Sequence, residues 1–307
     1  MVTRANVAGV HGWLILDKPK GVTSAKAVAM VKRATGARTG HAGTLDPLAT
    51  GVLPLALGEA TKTARFISAE RKEYRFRIGW GEARDTGDSE GAVTGETGVR
   101  PDRDRILATL PRFVGTLQQT PPAYSAIKIG GQRAYALARA GKSPEMRART
   151  VQIDTLTLLD IPHPDHADFV ARVGEGTYIR SLARDLAEAL GTLGHIVELR
   201  RLSVGRFTEI NAISLDLAVS LGHSLAASEH LLPIETALDD IPALALTADE
   251  TARLRHGQRV SPLQATEQGR LDELGQGTIV GAKHNHLLVG LARIEDGTLR
   301  PVRIINR

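Results

Sequence analysis

Asp46 lies in the run Gly40–Gly51, GHAGTLDPLATG, directly ahead of an apolar stretch. A glycine-rich loop before a strand can hold a carboxylate over a sheet, within reach of a substrate. Pro47 restricts the Asp46 backbone to extended conformations and so fixes where the carboxylate points. The chemistry open to such a group is nucleophilic or general-base attack. A plain Asp–Pro turn accounts for the same residues, so spacing alone leaves both readings open. Arg180, in GTYIRSLARDL, falls near the start of a predicted helix, two residues after Tyr178. A guanidinium there could pair with a carboxylate and keep it ionised at neutral pH, as nucleophilic attack requires. A solvent-facing helix arginine is the commoner use of the residue. Tyr74 and Tyr178 are two of only four tyrosines. Each offers a ring that could stack on a base and a hydroxyl that could move a proton, or else a core aromatic with a polar tip. His41 could touch a polynucleotide or simply be solvated, and Leu199, in VELRRLSVG, reads first as core.

Other chemistries are excluded or unsupported. The chain has no cysteine, which removes disulfides, thiolate catalysis and cysteine zinc sites. No His-x-x-x-His or His-Glu-x-x-His pair occurs among the ten histidines, and His163 and His166 read as a solvated turn. Ala140-Gly141-Lys142-Ser143 imitates the end of a phosphate-binding loop, but the first glycine of that motif would fall at Ala136. No dinucleotide-type glycine pattern joins a strand to a helix. No cofactor and no metal is expected.

The 307 residues suggest two domains, and 42% hydrophobic with 24% charged residues suits an ordinary globular protein. No apolar run is long enough to cross a membrane as a helix. The N-terminus is a poor signal peptide, which leaves the cytoplasm as the default location. A net charge of +5 and a pI near 9.6 favour a polyanionic partner. The charge is regional. Lys128–Thr150 carries six basic residues against one acidic, and Lys62–Arg84 seven against three, whereas Glu209–Glu250 has eight acidic and none basic.

The elements that would position these residues are a short strand at Trp13–Leu16 ending in the turn Asp17–Gly21, and a helix from about Ala25 to Ala34. Ser24 would cap that helix and Gly36 would stop it. Gly40–Gly51 is a loop, Val52–Leu57 a strand, and Glu59–Ser68 a helix. Tyr74, Phe76, Ile78 and Trp80 alternate with Arg75 and Arg77, the pattern of a half-buried strand with a basic outer face. Asp102–Phe113 and Tyr178–Leu190 fit helices, and Val151–Ile161, Asp168–Val173 and Ile196–Phe207 fit strands. Ile127–Thr150 is basic, punctuated by glycine, and helical only in its middle, as a mobile insertion would be. Strands and helices are mixed throughout, which indicates a mixed sheet with helices on it. A boundary falls near Pro242–Thr247, followed by a small β-rich, basic module.

Six segments, in this order, resemble the motifs of bacterial TruB-type tRNA pseudouridine synthases: GWLILDKPKGVTS, GHAGTLDPLATGVLPLALGEATK, DTGDSEG, TPPAYSAIKIGGQRAYALARAG, GEGTYIRSLARDL and LRRLSVGRF. The likeness runs from about His11 to Phe207. It implies an α+β pseudouridine synthase fold with a mixed, largely antiparallel sheet flanked by helices. Residues 1–245 would form the catalytic domain, with a thumb-like insertion at about 127–150, and residues 246–307 a small PUA-like RNA-binding module. The implied reaction is conversion of the uridine at position 55, in the T-arm of tRNA, to pseudouridine. By resemblance, Asp46 is the nucleophile, Arg180 its partner, Tyr74 the base-stacking ring and Tyr178 a pocket tyrosine. His41, Leu199 and Lys18 are implied as further substrate contacts. The expected partner is the T-arm stem-loop of tRNA, with no obligatory protein partner and a monomeric enzyme.

Three other readings compete: a noncatalytic RNA-binding or RNA-folding protein on this scaffold, the catalytic subunit of a guide-RNA ribonucleoprotein, and a glycosidase. The last would need a second carboxylate, from Asp17, Asp85 or Asp88.

Overall fold

The computed structural model of the protein describes residues 9–125, 127–142, 145–262 and 265–306. The start of the N-terminal segment weighed above as a signal peptide, and Ser143 with Pro144 of the insertion, lie outside the described residues.

The apolar runs of the N-terminal two thirds pair into one large sheet. Its main strands are β1 (Gly12–Lys18), β2 (Thr50–Leu57), β3 (Lys72–Trp80), β4 (Gly115–Gln119), β5 (Arg149–His163), β6 (His166–Val173) and β7 (Gly194–Val204). They lie in the order β1-β2-β7-β3-β6-β5-β4, with Ile213–Ser214 beyond β1. The pairing of β2 with β7 is parallel, as is that of β1 with Ile213–Ser214, and the remaining neighbours along this path are antiparallel. The sheet is therefore mixed and largely antiparallel, as expected.

Strand β3 shows why. Tyr74, Phe76, Ile78 and Trp80 are buried and Arg75 is exposed, so period-two patterning selects the inner face. The Phe76 and Phe169 rings stack across β3 and β6 at 5.5 Å, and Trp80 meets Phe169 edge-on at 6.3 Å. On the other face Arg77 donates to its cross-strand neighbour Asp168 at 2.6 and 2.8 Å. His163 and His166 face each other at the hairpin between β5 and β6.

Helix α1 (Ser24–Thr35) ends at Gly36, whose φ of +68° favours glycine. Its cap is Thr23, whose hydroxyl accepts from Lys26 N–H, and not Ser24 as expected. Ser24 is turned inward to the Asp46 loop. Helix α2 (Ile179–Ala189) follows Tyr178 and buries Ile179, Arg180, Leu182, Ala183 and Leu186. The expected helix at 59–68 is split into a 3-10 turn, Gly58–Lys62, and a short helix, Ala64–Ala69. The one at 102–113 becomes a helix at Arg103–Thr109 and then a 3-10 turn containing Pro111, which lacks an amide hydrogen. The basic insertion begins as a hairpin, Lys128–Ile129 with Gln132–Arg133, followed by a helix, Ala134–Arg139.

A second sheet, in the order of its strands, consists of β8 (Ala243–Ala245), β9 (Ile279–His284), β10 (Leu287–Glu295) and β11 (Thr298–Ile304). Leu244, Val280, Ala292, Ile294 and Leu299 share a core with Leu254 and Leu271. One of its faces packs on the large sheet, because Leu288, Leu291 and Ile305 lie in one cluster with Trp13, Ile15 and Phe207. Lys62 Nζ donates to Ile304 O at 2.7 Å and Asn306 N–H to Glu59 at 2.7 Å, closing that seam. No helix among the described residues is long and apolar enough to cross a membrane.

Candidate active site

The loop between Thr39–His41 and β2 carries Asp46, and its backbone is fastened on several sides. Ala42 N–H donates to Pro54 O at 2.9 Å, and Asp46 O accepts from Ala49 N–H at 3.1 Å. The Ser24 hydroxyl accepts from Leu45 N–H at 2.9 Å and donates to Leu45 O at 3.0 Å. Pro47 O accepts from Gly21 N–H at 2.8 Å. Arg201, only 1% exposed, donates to Val52 O at 2.7 Å and to Gly43 O at 3.0 Å. Gly51 lets β2 and β7 approach: its φ is +97°, and a Cβ there would fall 2.2 Å from Arg201 O.

Arg180 reaches this loop from the first turn of α2. It is 5% exposed, and its Nη1 and Nη2 donate to the carbonyls of Thr86 at 2.6 Å and Tyr124 at 2.8 Å. Its Nε stands 2.9 Å from Asp46 Oδ2 and 3.8 Å from Asp88 Oδ2. The Nε hydrogen is not aligned for a hydrogen bond to either carboxylate, so these contacts are ionic. Asp88 is itself fixed by the Thr86 hydroxyl at 2.6 Å and by Glu90 N–H at 3.1 Å.

A cavity of about 460 Å³ opens over Asp46, lined by His41, Tyr74, Arg149, Tyr178 and Leu199 among others. The structure thus brings together Asp46, Arg180 and four of the five other residues expected at the site. Burial, with Arg201 close by, pushes the His41 imidazole below its ordinary value, which favours the neutral ring. A larger groove of about 950 Å³ lies alongside, lined by Arg71, Lys72, Arg172 and Arg206. It does not contain Asp46, but Lys72 lines both spaces and connects them. Burial, reinforced by Arg201, lowers the Lys72 ammonium to about 8.

Lys18 is the exception. It is 0% exposed, and its ammonium donates to Pro19 O at 2.9 Å and Val22 O at 2.7 Å, with Pro47 O at 3.4 Å. With no exposed surface, Lys18 lines neither space, so the expected role of substrate contact is corrected: its ammonium, held by carbonyls, supports the loop. Burial lowers it to about 8 against the opposing pull of Asp46.

The second carboxylate that a glycosidase would need is not placed for that work. Asp17 is tied to Arg200 at 2.9 and 3.0 Å, and Asp85 meets the Tyr124 hydroxyl at 3.4 Å. Asp88 shares the Arg180 guanidinium with Asp46 rather than facing it across an open gap. No group of three or more His, Cys, Asp or Glu among the described residues is placed to hold a metal ion.

Sequence reasoning missed Ser24, Arg201, Gln119 and Arg149 as site-building residues. Only position in the folded chain reveals them: Arg200 and Arg201 are neighbours of one type, and strand alternation sends one out and the other in. Asp88 had a signal in the motif DTGDSEG.

Residues 30–179 match the profile described as TruB family pseudouridylate synthase, N-terminal domain. Residues 180–239 match the tRNA pseudouridylate synthase B C-terminal domain, and 242–305 the C-terminal profile of pseudouridine synthase II TruB. A Rhodospirillum rubrum protein named tRNA pseudouridine synthase B is 51% identical over 100% of both chains. The chain belongs to the TruB family. As a member it is an isomerase that makes pseudouridine from uridine. A Bradyrhizobium diazoefficiens protein of the same name is 52% identical over 97% of this chain and 86% of the other, and one from Caulobacter vibrioides is 48% identical over 99% of both. Among solved structures, a chain of the archaeal box H/ACA sRNP Nop10-Cbf5 complex shares the fold at a TM-score of 0.72 and 24% identity, over 99% of this chain and 89% of that one. A chain of a Cbf5-Nop10-Gar1 complex aligns at 0.70 and 26%, over 97% and 84%.

Proposed function

We propose that the protein converts the uridine at position 55 in the T-arm of tRNA to pseudouridine, with Asp46 as the nucleophile acting on a flipped-out nucleotide. The observation that carries this reading is the Arg180–Asp46 ion pair, 2.9 Å long, whose carboxylate lines a pocket shared with Tyr74 and Tyr178. The reaction breaks N1–C1′ and makes C5–C1′, so a base must leave its sugar, turn and rejoin. Attack at C1′, attack at C6 and removal of the C2′ proton all call for an ionised carboxylate here, and the Arg180 guanidinium stands 2.9 Å from it. Unstacking the nucleotide costs a few kcal/mol. Stacking on Tyr74 would return roughly 1–3 kcal/mol. In this reading Tyr178, which lines the same cavity, assists the proton that leaves C5. The rearrangement exchanges no electrons and needs no second substrate.

The test is tritium release from tRNA labelled at uridine C5, with pseudouridine mapped in the product. Asp46→Asn should abolish product while tRNA binding stays near normal. Turnover close to wild type would sink the nucleophile assignment.

A free-standing enzyme is the preferred reading over a guide-RNA subunit, because relatives named tRNA pseudouridine synthase B are 48–52% identical and the ribonucleoprotein chains only 24–26%. Activity of the purified chain on a bare T-arm stem-loop tests this, and dependence on added protein or guide RNA would refute it. The C-terminal sheet is read as an RNA-gripping module. It begins with β8, which pairs with β9, and in this reading the division falls within Pro242–Thr247.

A further inference from the structure

Tyr178 begins α2 without a side-chain cap of its own. Its backbone is held from outside the helix. The Gln119 side chain, 3% exposed, accepts from Tyr178 N–H through Oε1 at 2.8 Å and donates from Nε2 to Tyr178 O at 3.2 Å. A planar amide thus pairs with one residue's backbone as a neighbouring strand would. The next residue continues the grip: Thr120 O accepts from the Ser181 hydroxyl at 2.8 Å and from Arg184 at 3.1 Å. Gln119 is also paired in register with Arg149, whose guanidinium lies 4.9 Å from the centre of the Tyr178 ring. The end of β4 therefore fixes the backbone of Tyr178, and the start of β5 covers its ring.

We propose that Gln119 is a positioning residue for the reaction: its amide sets the place of the Tyr178 ring in the pocket over Asp46, with Arg149 seated against that ring. The inference rests on Tyr178 being a working pocket residue. Only a group with one donor and one acceptor side by side can do this. Leucine has neither. A glutamate carboxylate accepts from Tyr178 N–H but opposes Tyr178 O, whereas a protonated glutamic acid supplies both functions again.

The test compares wild type, Gln119→Leu, Gln119→Glu and Tyr178→Ala on a T-arm stem-loop, by single-turnover product formation and stem-loop affinity between pH 6 and 8.5, with thermal midpoints to check folding. Gln119→Leu should lower the single-turnover rate about tenfold or more at every pH, consistent with the loss of two buried hydrogen bonds. Stem-loop affinity should change less than about threefold. Gln119→Glu should be impaired at pH 8.5 and recover relative to wild type as the pH falls. A rate ratio that is flat with pH overturns the proposal, as does wild-type activity in Gln119→Leu. If Tyr178→Ala turns over normally while the Gln119 variants do not, Gln119 acts elsewhere and the proposal also falls. Absence of product with wild type refutes the functional reading itself, a result distinct from all of these.

Discussion

At the scale of single residues, charge placement dominates. Arg180 is anchored by two carbonyls before it meets any carboxylate, so its position does not depend on Asp46. Lysine cannot make that fork, and Arg180→Lys should therefore cost more than simple charge conservation implies. Lys72 gives a pH prediction. Its ammonium is lowered to about 8, so it is charged below that pH and neutral above it. If it meets a phosphate, tRNA affinity should weaken as pH rises through about 8, and Lys72→Arg should remove that step because arginine stays protonated. An unchanged step in the arginine variant, measured by binding titrations from pH 7 to 9, would show that another group is responsible. Asp46, Arg180, Tyr74 and Tyr178 were legible in the sequence as types within motifs. Lys18 was misread because a lysine in a predicted turn gives no sign that the chain folds back over it and supplies carbonyls.

Elements turn these residues into a site. The α1 start illustrates a division of labour between neighbours: Thr23 caps the helix, and Ser24 ties it to the Asp46 loop. Thr23→Ala should cost about 1 kcal/mol of stability with turnover unchanged. Ser24→Ala leaves the N–H and C=O of Leu45 without that partner in a buried setting, at a cost of about 1–3 kcal/mol, and should also slow catalysis. Denaturant midpoints alongside single-turnover rates separate the two. Equal catalytic loss in both variants would deny Ser24 its special role. The strands were readable because β3 alternates cleanly. The choice of cap was not, since both residues can cap, Ser the better of the two, and only the tertiary partner of Ser24 decides between them.

At the scale of the whole molecule, the basic insertion Lys128–Arg149 follows β4 and leads into β5, next to the pocket. Replacing Lys128, Lys142 and Arg147 with glutamine should weaken tRNA binding and flatten its salt dependence, by roughly 0.7–0.9 in log–log slope for each phosphate that is no longer neutralised. Affinities measured from about 50 to 200 mM salt give that slope. An unchanged slope would argue against gripping by this segment. The mixed sheet was legible from the mingling of strand and helix patterns along the chain, and its largely antiparallel character came from the family resemblance. Its strand order was not, because the crossing of β7 between β2 and β3 depends on contacts between distant segments, such as the approach of Gly51 to Arg201.

The loop that carries Asp46 is anchored by the buried Leu45 and Leu48 and gripped through its own peptide groups: Ala42, Gly43, Leu45, Asp46 and Pro47 each contribute an N–H or a C=O to an outside or local partner. At position 46 itself it is the main chain that is held. Position 46 is therefore a socket that can be re-equipped. Asp46→Glu or Asp46→Cys would present a longer or softer nucleophile from an unmoved Cα, and the reach and reactivity of the attacking group could be varied one at a time without rebuilding the fold.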